Sequence, residues 1–519
     1  MSDLEQIGEL TQFFQSSEQA HFARSWTVDD VERLRNPGPT EEYPLSNRQA
    51  RKLRKALDSN SRNGSTSFTY GMYDSALRTA EGSCKAERSG AADPIMAHEM
   101  GEAGFDTLYV SGANATLADV PTFDCGGDLA DYTYDTLPRK VKQLVQNQLH
   151  WARVDKVRTH IGNLKGSKKG IDRLVPIIAD GDSGHGNSTA TMKMVKLFLD
   201  AGVAAIHLDD LLSGEKNFSA GSLTHVVVPV SEHIRRLSAA KLQLDICGSH
   251  VVLVGRTDSE SASRITSTID ARDRPFILGR TNVDIPSLNQ FLQGSKTTGV
   301  SRLQEEGEWE LQAYLKTLDE AVKGSCTPDE FKEWTSKSVN LNVSDALLLA
   351  TKMNMSVIWD AEGCRNERGW YRYNGGIEAA ISRSIAYAAH SDMVWSCAPG
   401  YKRDSVVRYE KEVHRAVPGK WLGYNWSFGD FSKDTDDNIA KLVRDVGSLG
   451  YVWQFNPQAG FYAQGIAMHD FAKAVYKDHM VPYVRSIQDG EKKEVSVIDW
   501  YEEAGDLVDY MTDIVSLNP

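Results

Sequence analysis

Four acids, a histidine and an arginine stand where apolar runs give way to polar residues: Asp180 and Asp182 in IADGDSGHG, His207 and Asp209 in AIHLDD, and Arg256 with Asp258 in VGRTDS. Ser111-Gly112, closing YVSG, and Asn425 with Ser427 in YNWS occupy the same kind of position. Several carboxylates with few bases among them repel one another unless a cation sits between. Oxygen ligands with room for water select a hard ion and suit Mg²⁺ better than zinc. A lone aspartate after a strand is more often the cap of the next helix. Four strand-end acids at one mouth tip the reading toward a site. ADGDSGHG looks superficially like a phosphate loop, yet it lacks both GxxxxGK[ST] and GxGxxG spacing, so nucleotide binding carries little weight. His185 within it reads equally as a structural residue. No GxSxG elbow and no Ser-His-Asp signal occurs.

For these residues to meet, the runs before them must be neighbouring strands. Eight β-branched or aromatic runs end in a polar residue or glycine: Ser67–Gly71, Thr107–Ser111, Leu174–Asp180, Ala204–Asp209, Val251–Arg256, Met393–Trp395, Trp421–Asn425 and Tyr451–Phe455. Helical patterns lie between them. Met192, Val195, Phe198 and Leu199 form one stripe over 190–201, with Gly202 as a stop, and Val230, Ile234 and Leu237 share a face after Pro229. Continuous apolar strands alternating with helices predict an α/β fold, a TIM-type (β/α)8 barrel whose strand C-termini converge on one mouth. The polar first stretch, with NPGPT at 36–40 and SNSRNGST at 59–66, reads as a peripheral helical arm. Residues 275–355 break the rhythm, with helices expected over 302–323 and 328–337 and only one strand-like run, at 356–360. The expected organisation is an arm over 1–65, the first part of the barrel over 66–274, a helical insertion over 275–355, and the rest of the barrel with C-terminal helices over 356–519.

The bulk properties exclude several function classes. The 519 residues carry 58 Lys plus Arg against 71 Asp plus Glu, a balance of −13 that repels a phosphate backbone or an anionic lipid surface. A hydrophobic share of 41% and a charged share of 25% fit a globular protein, and no run approaches the length of a membrane helix. The polar start MSDLEQIGEL lacks a secretory signal, and six scattered cysteines without CxxC spacing argue against a disulfide framework or a zinc cluster. Neither nucleic acid nor membrane is an expected partner, and the cytoplasm is the expected compartment.

SFTYG at 67–71, YVSG, DLADYTYDTLPRKV at 128–141, IADGDSGHG, AGVAAIHLDD, VPVSEHIRRL, GRTDSESASRITSTIDARDRPFILGRTN, GWYRYNGG, LGYN and LGYVWQF together resemble the isocitrate lyase family, most closely its longer eukaryotic form. The resemblance runs from about Trp26 to Tyr483. It implies the barrel of the phosphoenolpyruvate mutase and isocitrate lyase superfamily, Mg²⁺, a small carboxylic acid substrate, and a homotetramer whose neighbouring subunits exchange helices. Under it Asp180 matches the metal-binding aspartate, and Asp128, Asp182 and Asp209 match acids that hold metal-bound waters, Asp209 replacing a glutamate. Ser111 and Gly112 match donors to the carboxylate of the glyoxylate half, and Arg256 matches its ion-pair partner, a fixed fork suited to a carboxylate. His207, Asn425 and Ser427 also fall on family site positions.

The other half of the pocket departs from the pattern. The family's loop reads KKCGH, whose cysteine exchanges a proton at the succinate carbon; here the stretch is Lys216-Asn217-Phe218-Ser219-Ala220. A thiolate can act as a base near neutral pH, whereas a phenyl ring cannot take a proton. Cys397 replaces an expected glutamate, Ser427-Phe428-Gly429-Asp430-Phe431 replaces SPSFNW, Pro457 replaces a threonine, and Arg368 stands where the family has glutamate while Arg365 is kept. The expected function is a Mg²⁺-dependent carbon–carbon lyase acting on a 2-hydroxy or 2-oxo acid other than isocitrate, in specialised metabolism. Lys216, Ser219, Tyr462 or metal-bound water are the candidate substitutes for the lost base. The alternative is a non-catalytic paralogue that keeps metal and oxo-acid binding. Isocitrate and 2-methylisocitrate lyases share the cysteine loop, so both ordinary activities meet the same objection.

Overall fold

The computed structural model describes residues 3–36, 39, 41–70, 94–120, 122, 127–161, 172–216, 225–297, 299–398, 400–427, 429–489 and 499–517. Eight strands make the central sheet: β1 (Ser67–Tyr70), β2 (Leu108–Val110), β3 (Ile177–Asp180), β4 (Ala205–Leu208), β5 (Val252–Thr257), β6 (Met393–Ser396), β7 (Trp421–Asn425) and β8 (Tyr451–Asn456). Their order is β1-β8-β7-β6-β5-β4-β3-β2, with every pairing parallel, and β1 and β2 lie side by side at the remaining seam. A helix follows each strand along the chain. All eight apolar runs read from the sequence are strands of this one barrel, because residues buried on both faces need neighbours on both sides.

Local chemistry fixes the surrounding helices. In Ser188–Ala201 the Asn187 side chain accepts from Ala190 N, Gly202 closes the end at φ 92°, and Met194, Val195, Phe198 and Leu199 are buried. The arm comprises α1 (Asp3–Gln15), α2 (Val28–Leu34) and α3 (Pro44–Asn63). Its last helix is not peripheral: Leu53 and Leu57 are fully buried in the same cluster as Tyr109, Ile178, Val254, Trp395 and Trp453, and so plug the floor of the barrel. Asp245 ties the arm down, accepting from Arg24 Nε at 2.8 Å, Trp26 Nε1 at 3.0 Å and Lys241 Nζ at 2.5 Å.

The stretch after β5 builds a core of its own around Ile277, Leu318, Val322, Trp334 and Ala346. The helix expected over 302–323 is two helices, Gly299–Ala313 and Leu318–Lys323. Tyr314 takes a left-handed φ of 50°, and Lys316–Thr317 then pair with Leu278–Gly279 before Thr317 caps the second helix with its side chain. The strand expected at 356–360 does not form. Only Asp360 bridges, to Arg280, while Ser356 and Ile358 stay exposed, so the run has no partner strand to complete a ladder.

Candidate active site

Parallel strands bring their C-terminal residues to one end, and the predicted side chains gather there. The β3–β4 register sets Asp180 beside His207, and the β5–β6 register sets Arg256 beside Trp395. Asp180 Oδ1 lies 3.4 Å from His207 Nε2, and Tyr109 Oη, one strand away, lies 2.8 Å from the same nitrogen. Asp180 Oδ2 accepts from the Gly112 amide at 3.0 Å, and Asp180 Oδ1 from the Asp182 amide at 2.8 Å. The Gly112 amide, expected to face a substrate carboxylate, is thus committed to Asp180. No side chain fits at residue 112, since a Cβ there would stand 2.8 Å from both Asp180 Oδ2 and Asp182 Oδ2 and 2.5 Å from Tyr132 Oη. The turn after β3 is wound tightly enough to place both Asp182 (φ 43°) and His185 (φ 54°) in the left-handed region, where L residues are strained.

The acids converge on one atom. Lys216 Nζ is bonded to Asp182 Oδ1, lies 3.3 Å from Asp128 Oδ1 and 4.0 Å from Asp209 Oδ2, and its side chain is 3% exposed. Burial disfavours the Lys216 ammonium, but Asp128, Asp182, Asp180 and Asp209 outweigh it and hold the amine well above its usual range. For Asp180 burial is likewise overcome, by His207, Lys216, Arg256 and the Asp182 amide, so the carboxylate stays ionised far below its ordinary range. Asp182 is lowered in the same way, with Lys216 and His185 acting against burial. Asp128 is pushed up to about 6 by burial, which Lys216 only partly offsets. Asp209, 4.0 Å from the ammonium, is driven well above the carboxylate range by burial. One ammonium is shared among too many acids to ionise them all. Burial lowers His207 to about 4, leaving it a neutral imidazole at pH 7.

The arginine is buried near the same acids. Arg256 donates to Asp258 Oδ1 at 2.8 Å and lies 4.5 Å over the Trp395 ring. Asp258, Cys397, Asp209 and Asp180 overcome the cost of burying it and hold it charged. Asn425 reaches the group through Cys397, with Nδ2 3.9 Å from Sγ, while its Oδ1 accepts from the Ser427 hydroxyl at 2.7 Å. Burial pushes the Cys397 thiol far up, so it supplies no thiolate base. Ser111 is buried and starts the helix Gly112–Ala118 without a side-chain cap bond. Tyr462 is 59% exposed on the helix Ala459–Asp478 and is not brought to the cluster. Phe218, Ser219, Ala220 and Phe428 lie outside the described residues.

Two partners were missed in the sequence. Tyr109 and Tyr132, whose hydroxyls bond to the Asp180–His207 pair and to Asp182, look like core aromatics; the signal available was Tyr109 inside YVSG, two residues before Ser111.

The donor set suits a hard divalent cation. Asp128 Oδ1 and Asp209 Oδ2 are buried and make no hydrogen bond, and both face the point on which Asp182 also converges. Among the described residues no group of three or more His, Cys, Asp or Glu stands close enough together to hold a metal ion as placed; Lys216 Nζ stands between the acids.

Comparison with known proteins shows which family the chain belongs to. The chain is 35% identical over 494 residues to an isocitrate lyase of Oryza sativa subsp. japonica, covering 90% of this chain and 82% of that protein. It is 32% identical over 508 residues to a mitochondrial 2-methylisocitrate lyase of Schizosaccharomyces pombe, covering 95% and 93% respectively. Among solved structures, a 2,3-dimethylmalate lyase aligns at a TM-score of 0.45 and 16% identity over 91% of this chain and 99% of that one. With the isocitrate lyase family model matching residues 6–517, the chain belongs to the isocitrate lyase family.

Proposed function

We propose that the protein is a Mg²⁺-dependent carbon–carbon lyase acting on a 2-hydroxy or 2-oxo acid other than isocitrate. The single observation that carries this reading is the convergence of Asp128, Asp182 and Asp209 on one point beside Asp180, with the buried Arg256 held charged near them. Asp180 and Asp182 would hold the metal directly or through water, with Asp128 and Asp209 as the outer acids. Bound there, Mg²⁺ would supply positive charge to the oxygen at which an oxyanion or enolate develops.

The chain's own groups have separable tasks. Arg256, braced by Asp258 and Trp395, is a preorganised fork for the substrate carboxylate. His207, neutral and hydrogen-bonded to Tyr109, orients Asp180. Among the described residues Lys216 is the cationic amine of the cluster; held protonated, it can donate a proton where the family's cysteine would act but cannot take one. Asn425 and Ser427 would bound the second half of the substrate.

Four described cysteines are all unpaired, which suits a reducing compartment such as the cytoplasm, and no helix among the described residues is long and apolar enough to cross a membrane. Ile466, Met468 and Tyr476 on one C-terminal helix and Val508, Met511 and Val515 on the last are exposed, which supports assembly into a homotetramer. A second reading, a non-catalytic binder, is favoured by Lys216 standing where the acids converge. Incubation with Mg²⁺ and a panel of 2-hydroxy and 2-oxo acids, repeated with Asp180→Ala, separates the two. The lyase reading expects metal-dependent cleavage of a panel member, abolished in the variant, and slow or no turnover of isocitrate. Retro-aldol turnover of isocitrate at an ordinary family rate sinks the substrate assignment; tight ligand binding with no turnover on any acid favours the binder.

A further inference from the structure

We infer that Lys216 is an internal counter-cation of the aspartate cage, and that a divalent ion and the Lys216 ammonium are alternative occupants, so metal entry drives this side chain out of the chamber. The inference rests on the metal reading above. Its geometric basis is that Lys216 Nζ, bonded to Asp182, also lies within 4.0 Å of Asp128 and Asp209 carboxylate oxygens. Two buried acid oxygens without hydrogen bonds, Asp128 Oδ1 and Asp209 Oδ2, face that nitrogen. An ammonium and a divalent ion cannot both stand within contact distance of the same carboxylates in a buried space, because their mutual repulsion is barely screened there.

The surrounding contacts say which side must yield. The acid side is braced. Asp180 is fixed by the Gly112 and Asp182 amides, Asp182 accepts from the Tyr132 hydroxyl, and Asp209 Oδ1 accepts from the Leu211 amide at 3.3 Å. The Lys216 side is attached more lightly. Ser213 Oγ meets Ser183 Oγ at 2.6 Å, Glu215 pairs with the half-exposed Arg368, and Gly214 lies between them at φ 80°, a conformation open to glycine. An exposed ion pair such as Glu215–Arg368 contributes little. Withdrawal of Lys216 therefore costs less than displacement of Asp180, Asp182 or Asp209.

Two measurements on the full chain test this. Mn²⁺ affinity is read by calorimetry for the wild type, Lys216→Met and Lys216→Arg. Removing the competitor should tighten Mn²⁺ binding by roughly tenfold or more in Lys216→Met, while Lys216→Arg stays at or below the wild type. Acetylation of Lys216 in the wild type by an amine-reactive ester, mapped by mass spectrometry, should rise when Mn²⁺ is added at constant pH. Unchanged affinity in Lys216→Met, or Lys216 labelling that stays flat while the wild type binds Mn²⁺, overturns the inference and leaves the metal site standing. If neither wild type nor Lys216→Met takes up Mn²⁺, the metal reading falls and this inference with it. The labelling arm needs no variant, so it decides the matter even where a substitution prevents folding.

Discussion

A methyl group at residue 112 would land on three oxygen atoms of the site, those of Tyr132, Asp180 and Asp182. Gly112→Ala should therefore fold but displace the amide that holds Asp180. Loss of such a supporting bond weakens metal affinity by about 10–100-fold. Calorimetry with Mn²⁺, set beside circular dichroism, checks this; unchanged affinity would show that the Gly112–Asp180 contact does not hold the acid in place. At this scale the sequence was partly legible. Asp180, Asp182, His207, Asp209 and Arg256 could be picked out because they end apolar runs, and backbone alternation then sends them inward. Tyr109 and Tyr132 could not, since a phenol that bonds a buried carboxylate has the same sequence context as one that merely fills space. Nor could Lys216 be placed, because its position depends on the path of a connection rather than on strand periodicity.

Among the elements, the helix Val230–Ile246 carries an acid-sensitive group. His233 is fully buried, neither ring nitrogen has a hydrogen-bond partner, and its ring meets Tyr387 edge-on at 4.5 Å. Burial lowers it to about 3, with Asp210 pulling upward and Arg236, Arg383 and His390 pushing downward. The folded state thus binds this proton less readily than the unfolded chain does. Its contribution to stability is complete above about pH 6.5 and is lost as pH falls from there toward 3, an effect on the order of a few kcal/mol. His233→Phe should flatten the acid limb of urea-unfolding curves between about pH 6.5 and 4.5; an unaltered limb would mean that other groups set it. Elements were the most legible level, because eight doubly buried strands leave continuous apolar runs. The two misread stretches, 302–323 and 356–360, failed for a common reason. Propensity within a segment does not reveal the left-handed turn at Tyr314 or the lack of a strand beside 356–360.

For the molecule as a whole, the arm is a structural member of the barrel. Asp245 is fully buried and neutralises both Arg24 and Lys241. Asp245→Ala would leave two buried cations facing each other, at a cost of about 3–5 kcal/mol, and should release the arm to protease at lower temperature than the wild type. Replacing the cluster with apolar residues, as in Asp245→Leu with Lys241→Met and Arg24→Met, should recover much of that loss. If the single substitution left thermal unfolding unmoved, the arm would not be held by this cluster. The floor plug of α3 and the rear bracing of Asp210 by Arg383 make the acid-bearing frame rigid from below and behind. New chemistry can then be tried on this scaffold by exchanging the short connection that carries the amine, while the frame that presents the carboxylates is inherited unchanged.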